Sequence, residues 1–234
     1  PSGNTYAPGG TVNARDLTVE GTFTMGTNAV NVARSWNSTS GTFTGTNTVT
    51  FTGSGTIRKG SSNFSTLVFN ALNGKWTPVS SLATTGNLTV TAGMLNLSGS
   101  SLTVGGTFRN DDTLRMHGDE TLTTVTNDTA HGGTVWYDGK NSYTGLNGFT
   151  SFANLTLSGA GVWTLNNAIT VGGNHTLTKG TLNQNGQSIT VGGDWTDTAT
   201  FIGNGTTTFT NTASITEPGH FGSLTVNAPS KTVT

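Results

Sequence analysis

The chain repeats itself at two nested periods, and no other feature restricts its fold as much. Ser101-Leu-Thr-Val-Gly-Gly-Thr-Phe108 recurs 87 positions later as Ser188-Ile-Thr-Val-Gly-Gly-Asp-Trp195. The same shift carries Asn87-Leu-Thr-Val-Thr-Ala-Gly93 onto Asn174-His-Thr-Leu-Thr-Lys-Gly180. A diverged third copy places Trp36, Phe51, Ile57 and Phe64 against Trp195, Phe209, Ile215 and Phe221. Inside the long period runs a short one: Ile169-Thr-Val-Gly-Gly173 and Ile189-Thr-Val-Gly-Gly193 lie 20 residues apart, as do Leu82 and Leu102. Three long units follow, 11-80, 81-165 and 166-234, preceded by an arm at 1-10 that reads as flexible.

Within each short period apolar residues alternate with polar ones, as in Leu88/Val90, Leu95/Leu97 and Leu102/Val104. That is the signature of a strand with one buried face. A coil of about 20 residues with three such strands cannot bury its apolar side alone. Stacked on an equivalent coil, each strand gains a parallel partner, and Leu, Val, Phe and Trp pile into an internal ladder. The expected fold is all-β, a parallel β-helix (β-solenoid) of roughly ten coils, right-handed because parallel crossovers prefer that hand. Trp36, Trp163 and Trp195 read as core. Gly105, Gly106, Gly172, Gly173, Gly192 and Gly193 read as corners, where positive φ or close backbone approach excludes a Cβ. Tandem antiparallel sandwiches are the rival, but they give the 20-residue period no natural place.

Composition agrees. About one residue in five is Thr, a β-branched strand former, while charged residues make up only 9%. Net charge is −1 without a basic run, which argues against nucleic acid or anionic lipid as a partner. No apolar run is long enough to span a bilayer as a helix. Cysteine is absent, so stability must come from backbone hydrogen bonds and burial rather than disulfides.

Gly180-Thr-Leu-Asn183, Gln187-Ser-Ile-Thr-Val-Gly-Gly-Asp-Trp195 and Phe221-Gly-Ser-Leu-Thr-Val226 resemble the repeats of large bacterial cell-surface proteins, the adhesin-like, filamentous-haemagglutinin-type β-solenoids. The resemblance covers nearly the whole chain. It implies an extracellular or cell-surface location and a structural or adhesive role, and it carries no functional residue with it. The stretch 109-148 departs from the repeat and reads as a polar, solvated excursion.

Six of the 11 acidic residues fall in that excursion. Asp111, Asp112, Asp119 and Glu120 are therefore candidate Ca²⁺ ligands, although no EF-hand or calcium nonapeptide spacing is present. No other cofactor is implied. His117, His131, His175 and His220 lack metal-ligand spacing, and His175 replaces a core leucine of the preceding unit. Glycoside hydrolysis needs two carboxylates across a groove, and Asp194 with Asp197 is the nearest approach to such a pair. No catalytic residue emerges, so a polysaccharide-binding or polysaccharide-degrading protein stays as the alternative. The Thr-x-Thr arrays leave an ice-binding surface as a second one.

The phase of the repeat at the two ends suggests assembly. Aligning Leu224 with Leu155 sets Thr234 opposite Leu165, and aligning Val12 with Val171 sets Thr11 opposite Thr170. One copy's pattern then runs on into another's. The expectation is a head-to-tail filament, with Pro1, Tyr6, Pro8 and Val12 on one side of the contact and Val233 and Thr234 on the other. Membership in one long surface fibre explains the same phase. Neutral surface polysaccharide is the other expected partner.

Overall fold

A computed structural model describes residues 3–216, 219–228 and 232–234. It is all-β, with no helix among the described residues, and its parallel strands stack as a β-solenoid of about 11 coils. Two compact units divide it: Pro1–Leu114 with Glu120–Thr126, and Arg115–Asp119 with Asn127–Thr234.

In the first unit a long sheet contains Val12–Thr18, Val30–Asn37, Thr48–Phe51 with Gly55–Arg58, Thr66–Pro78, Leu88–Asn96 and Phe108–Asn110. Two three-stranded sheets complete the coils, Thr5–Tyr6 with Thr22–Gly26 and Thr42–Gly45, and Leu82–Thr84 with Leu102–Val104 and Leu122–Thr123. The register joins like to like: Val12, Val30, Val49, Leu67, Leu88 and Phe108 form one column. Trp36 is fully buried and meets Phe43 and Phe64 edge-on at 4.9 and 5.0 Å. Each such side chain contributes about 1.5–3 kcal/mol when fully buried. The segment read as an arm supplies Thr5–Tyr6 as a strand paired in parallel with Thr22–Gly26.

The second unit repeats the scheme. Val135, Leu155, His175, Trp195 and Ile215 form one column, and Tyr143, Trp163, Leu182 and Phe201 another. Phe152, Val171, Val191, Phe209 and Val226 form a third. The two Ile-Thr-Val-Gly-Gly segments lie directly over each other, residue on residue.

The expected excursion at 109-148 is only partly one. Thr134–Tyr137 pairs with Asn154–Leu157, and Ser142–Thr144 with Val162–Thr164, so both belong to regular coils of the second unit. Val135 and Tyr137 face inward and are almost wholly buried, while Thr134 and Trp136 point outward. The polar composition had hidden a normal alternation.

The corner glycines are explained by close approach and not by positive φ. A Cβ on Gly105 would lie 2.5 Å from the Thr85 carbonyl oxygen, and one on Gly192 would collide with the Gly172 carbonyl. On Gly106, Gly173 and Gly193 it would collide with the side-chain oxygens of Asn87, Asn154 and Asn174 in the neighbouring coil. Gly172 is the exception, with nothing nearer than the Phe152 carbonyl oxygen at 3.7 Å.

Candidate functional site

Those asparagines form a ladder at one corner of the second unit. Asn154 Oδ1 accepts the backbone N–H of Asn174 at 2.9 Å, Asn174 Oδ1 that of Asp194 at 2.9 Å, and Asp194 Oδ1 that of Ser214 at 2.8 Å. In the first unit Asn87 Oδ1 accepts from Thr107 in the same way. Asp194 is thus a rung of the corner. Asp197 lies inside the coil, fully buried, with Oδ1 on the Ala199 N–H; burial raises its pKa above the ordinary carboxylate value. The two acids considered as a catalytic pair therefore occupy a surface corner and a core.

His175 is also fully buried. Its ring packs at a tilt against Trp195 with centroids 4.1 Å apart, and neither ring nitrogen has a hydrogen-bond partner. Desolvation lowers its pKa to about 3. The ring is a neutral core member but not a hydrogen-bonded one.

Outward positions also stack. Thr156, Thr176, Thr196 and Thr216 form one column of the second unit, and Thr170, Thr190, Thr208 and Thr225 another. In the first unit the outer face of the long sheet carries an ion pair between successive strands. Arg34 donates from Nε and Nη2 to the two Asp16 oxygens at 3.0 and 2.7 Å, which holds the Asp16 carboxyl below its ordinary pKa.

The chemically densest place is in the second unit, at the strand Thr134–Tyr137. Trp36, Trp76, Trp163 and Trp195 are at most 1% exposed, whereas Trp136 stands half-buried on the outer face. Its Nε1 donates to Ser158 Oγ at 2.5 Å, and the Arg115 guanidinium lies 4.6 Å from its ring centroid. Arg115 also donates from Nε to Asp138 Oδ2 at 2.9 Å, and its Nη2 bonds the same oxygen. Asp138 Oδ1 is shielded from solvent and has no partner. Beside it opens a cavity of about 400 Å³, lined by His117, Asp138, Gly139, Lys140, Asn141 and Tyr143. The Tyr143 hydroxyl oxygen accepts the backbone N–H groups of Lys140 and Asn141 at 3.0 and 3.2 Å. None of Arg115, Trp136 and Tyr143 stood out in the sequence. The signal that marks Trp136 is its phase in Thr-Val-Trp-Tyr, between two inward residues.

Three of the four candidate calcium ligands bond groups of the protein. Asp111 pairs with Arg109 Nε at 2.7 Å, Asp112 accepts the Gly93 N–H at 2.6 Å, and buried Glu120 accepts the Gly99 N–H at 3.0 Å. Asp119 is exposed.

Of the expected assembly residues, Pro1 lies outside the described residues. Tyr6 is 61% exposed and stacks on Phe23 at 5.9 Å, where a cavity of about 260 Å³ opens between Tyr6, Val12, Leu17, Val19 and Phe23. Pro8 is buried and its carbonyl accepts Asn28 Nδ2 at 2.7 Å. Val233 bridges Ala213 in parallel, and Thr234 accepts the Ile215 N–H at 2.6 Å, so both already begin a further layer on the second unit. No family model, curated protein or solved structure matches the chain.

Proposed function

We propose that this chain is a structural and adhesive element of an extracellular fibre, of the kind its repeats resemble in bacterial cell-surface proteins. One observation carries the reading: the coils stack like on like, and among the described residues strands at the margins of the two units keep one edge unpaired. In the first unit Thr5–Tyr6 pairs on one side only, with Tyr6 exposed beside an apolar cavity. In the second, Ser223–Val226 pairs on one side only and leaves Leu224 and Val226 47% and 53% exposed. An unpaired parallel edge with apolar side chains is a template for another coil. Two different edges meeting make a heterologous contact that does not close on itself, which is the geometry of a filament.

Electron microscopy and sedimentation of the purified chain over a wide concentration range test this. End-to-end oligomers that lengthen with concentration are expected. Leu224→Lys with Val226→Lys, both at exposed positions, should leave monomers. A wild-type chain that stays monomeric at the highest concentration removes the assembly.

A further inference from the structure

We propose that the cleft beside Trp136 and Asp138 binds a sugar residue of a neutral polysaccharide. The proposal rests on the adhesive reading and gives that adhesion a site. A volume of about 400 Å³ lies in the range of small-ligand sites. Charge narrows the ligand class. The one carboxylate of the cleft is matched by Arg115, which bonds it twice through Oδ2. A divalent cation wants six or more oxygen ligands with net negative charge and finds one compensated carboxylate. A phosphate or sulfate would find Lys140 as a cation at the exposed rim, with the Asp138 carboxylate in the same lining opposing it.

A hydroxyl group suits what remains. Asp138 lines the cavity, and its Oδ1, shielded from solvent, has no donor within the fold. Tyr143 spends its oxygen on two backbone N–H groups, so its own O–H is left to donate. A ligand hydroxyl in the cavity can accept from the Tyr143 O–H and still donate its own proton to a neighbouring acceptor. Asn141 and Lys140, exposed at the rim, offer further donors to neighbouring hydroxyls. Trp136, on the strand that ends one residue before Asp138, stands outside the cavity lining but is joined to Asp138 through Arg115, and offers an apolar platform next to the cleft for the C–H face of a sugar ring. Its indole is pinned by Ser158 and Arg115, so binding costs little ordering. The adjoining coils present Thr156 and Thr176, polar and uncharged, on the path a longer chain would follow.

Affinity electrophoresis of the full chain in gels containing dextran, mannan, xylan or mixed-linkage β-glucan tests the proposal, with the acidic polymer alginate as control. Retardation in at least one neutral gel is expected. Trp136→Ala and Lys140→Ala/Asn141→Ala should each weaken it roughly tenfold or more, a loss of about 1.4 kcal/mol. Circular dichroism must show both variants folded; the rim variant touches only exposed side chains and secures the test if Trp136→Ala does not fold. No retardation in any neutral gel, retardation by alginate alone, or unchanged retardation of the folded variants overturns it. Microscopy of the same samples separates the two readings: filaments without retardation remove the sugar site and leave the fibre.

Discussion

His175 shows how one residue can set the pH range of the fold. Its ordinary pKa of 6.5 applies to the unfolded chain, while burial holds it near 3 in the native state. Between those values the unfolded chain binds a proton that the folded one refuses. This contribution to stability is therefore complete above about pH 6.5 and is lost as the pH falls toward 3, by roughly 5 kcal/mol at the limit. His175→Leu, which copies Leu155 of the neighbouring coil, should remove most of that acid loss. At neutral pH it should also stabilise by about 1–3 kcal/mol, because two unpaired buried nitrogens disappear. Denaturant midpoints from pH 3 to 8 read both effects, and an unchanged acid limb in the variant assigns it to other groups. Alignment with Leu88 made the buried position legible in the sequence. The missing partners were not, because hydrogen bonding inside a coil depends on residues 20 or more positions away.

At the scale of the coil corner, identical words have different meanings. Ile169-Thr-Val-Gly-Gly173 and Ile189-Thr-Val-Gly-Gly193 share sequence and stack in register, yet their first glycines have unlike surroundings. A Cβ on Gly172 would make only an ordinary 3.7 Å contact with the Phe152 carbonyl oxygen, whereas one on Gly192 would collide with the Gly172 carbonyl oxygen. Gly172→Ala should be neutral or stabilise by up to about 1 kcal/mol, whereas Gly192→Ala should cost about 1–3 kcal/mol. Thermal melting of the two variants distinguishes them, and equal shifts would contradict the stacking. The repeat was legible because a strand's alternation is local. The asparagine ladder was not, since each rung ties a side chain to an amide in the next coil. The same limit hid the regular coils within 109-148, where Tyr143, Asp138 and Arg115 look polar in sequence and in the fold are spent on one another and on backbone.

Across the whole molecule, stability is a sum of coils and of contacts between neighbouring coils. Roughly ten coils follow from dividing chain length by the period, and about 11 are present because the supposed excursion also winds. In such a stack an inner coil opens only by breaking contacts on both sides, while a marginal one breaks them on one side. Hydrogen exchange at low concentration should therefore be fastest at Thr5–Tyr6 and Ser223–Val226. It should be slowest at inner strands such as Leu88–Asn96 of the first unit and Ile189–Val191 of the second. If copies pair through those margins, raising the concentration supplies the missing neighbour. Exchange at both marginal strands should then slow, while the inner strands keep their rates. Protection that rises at one margin only means a like-to-like contact, which closes as a dimer; protection independent of concentration means that the open edges find no partner among copies of this chain.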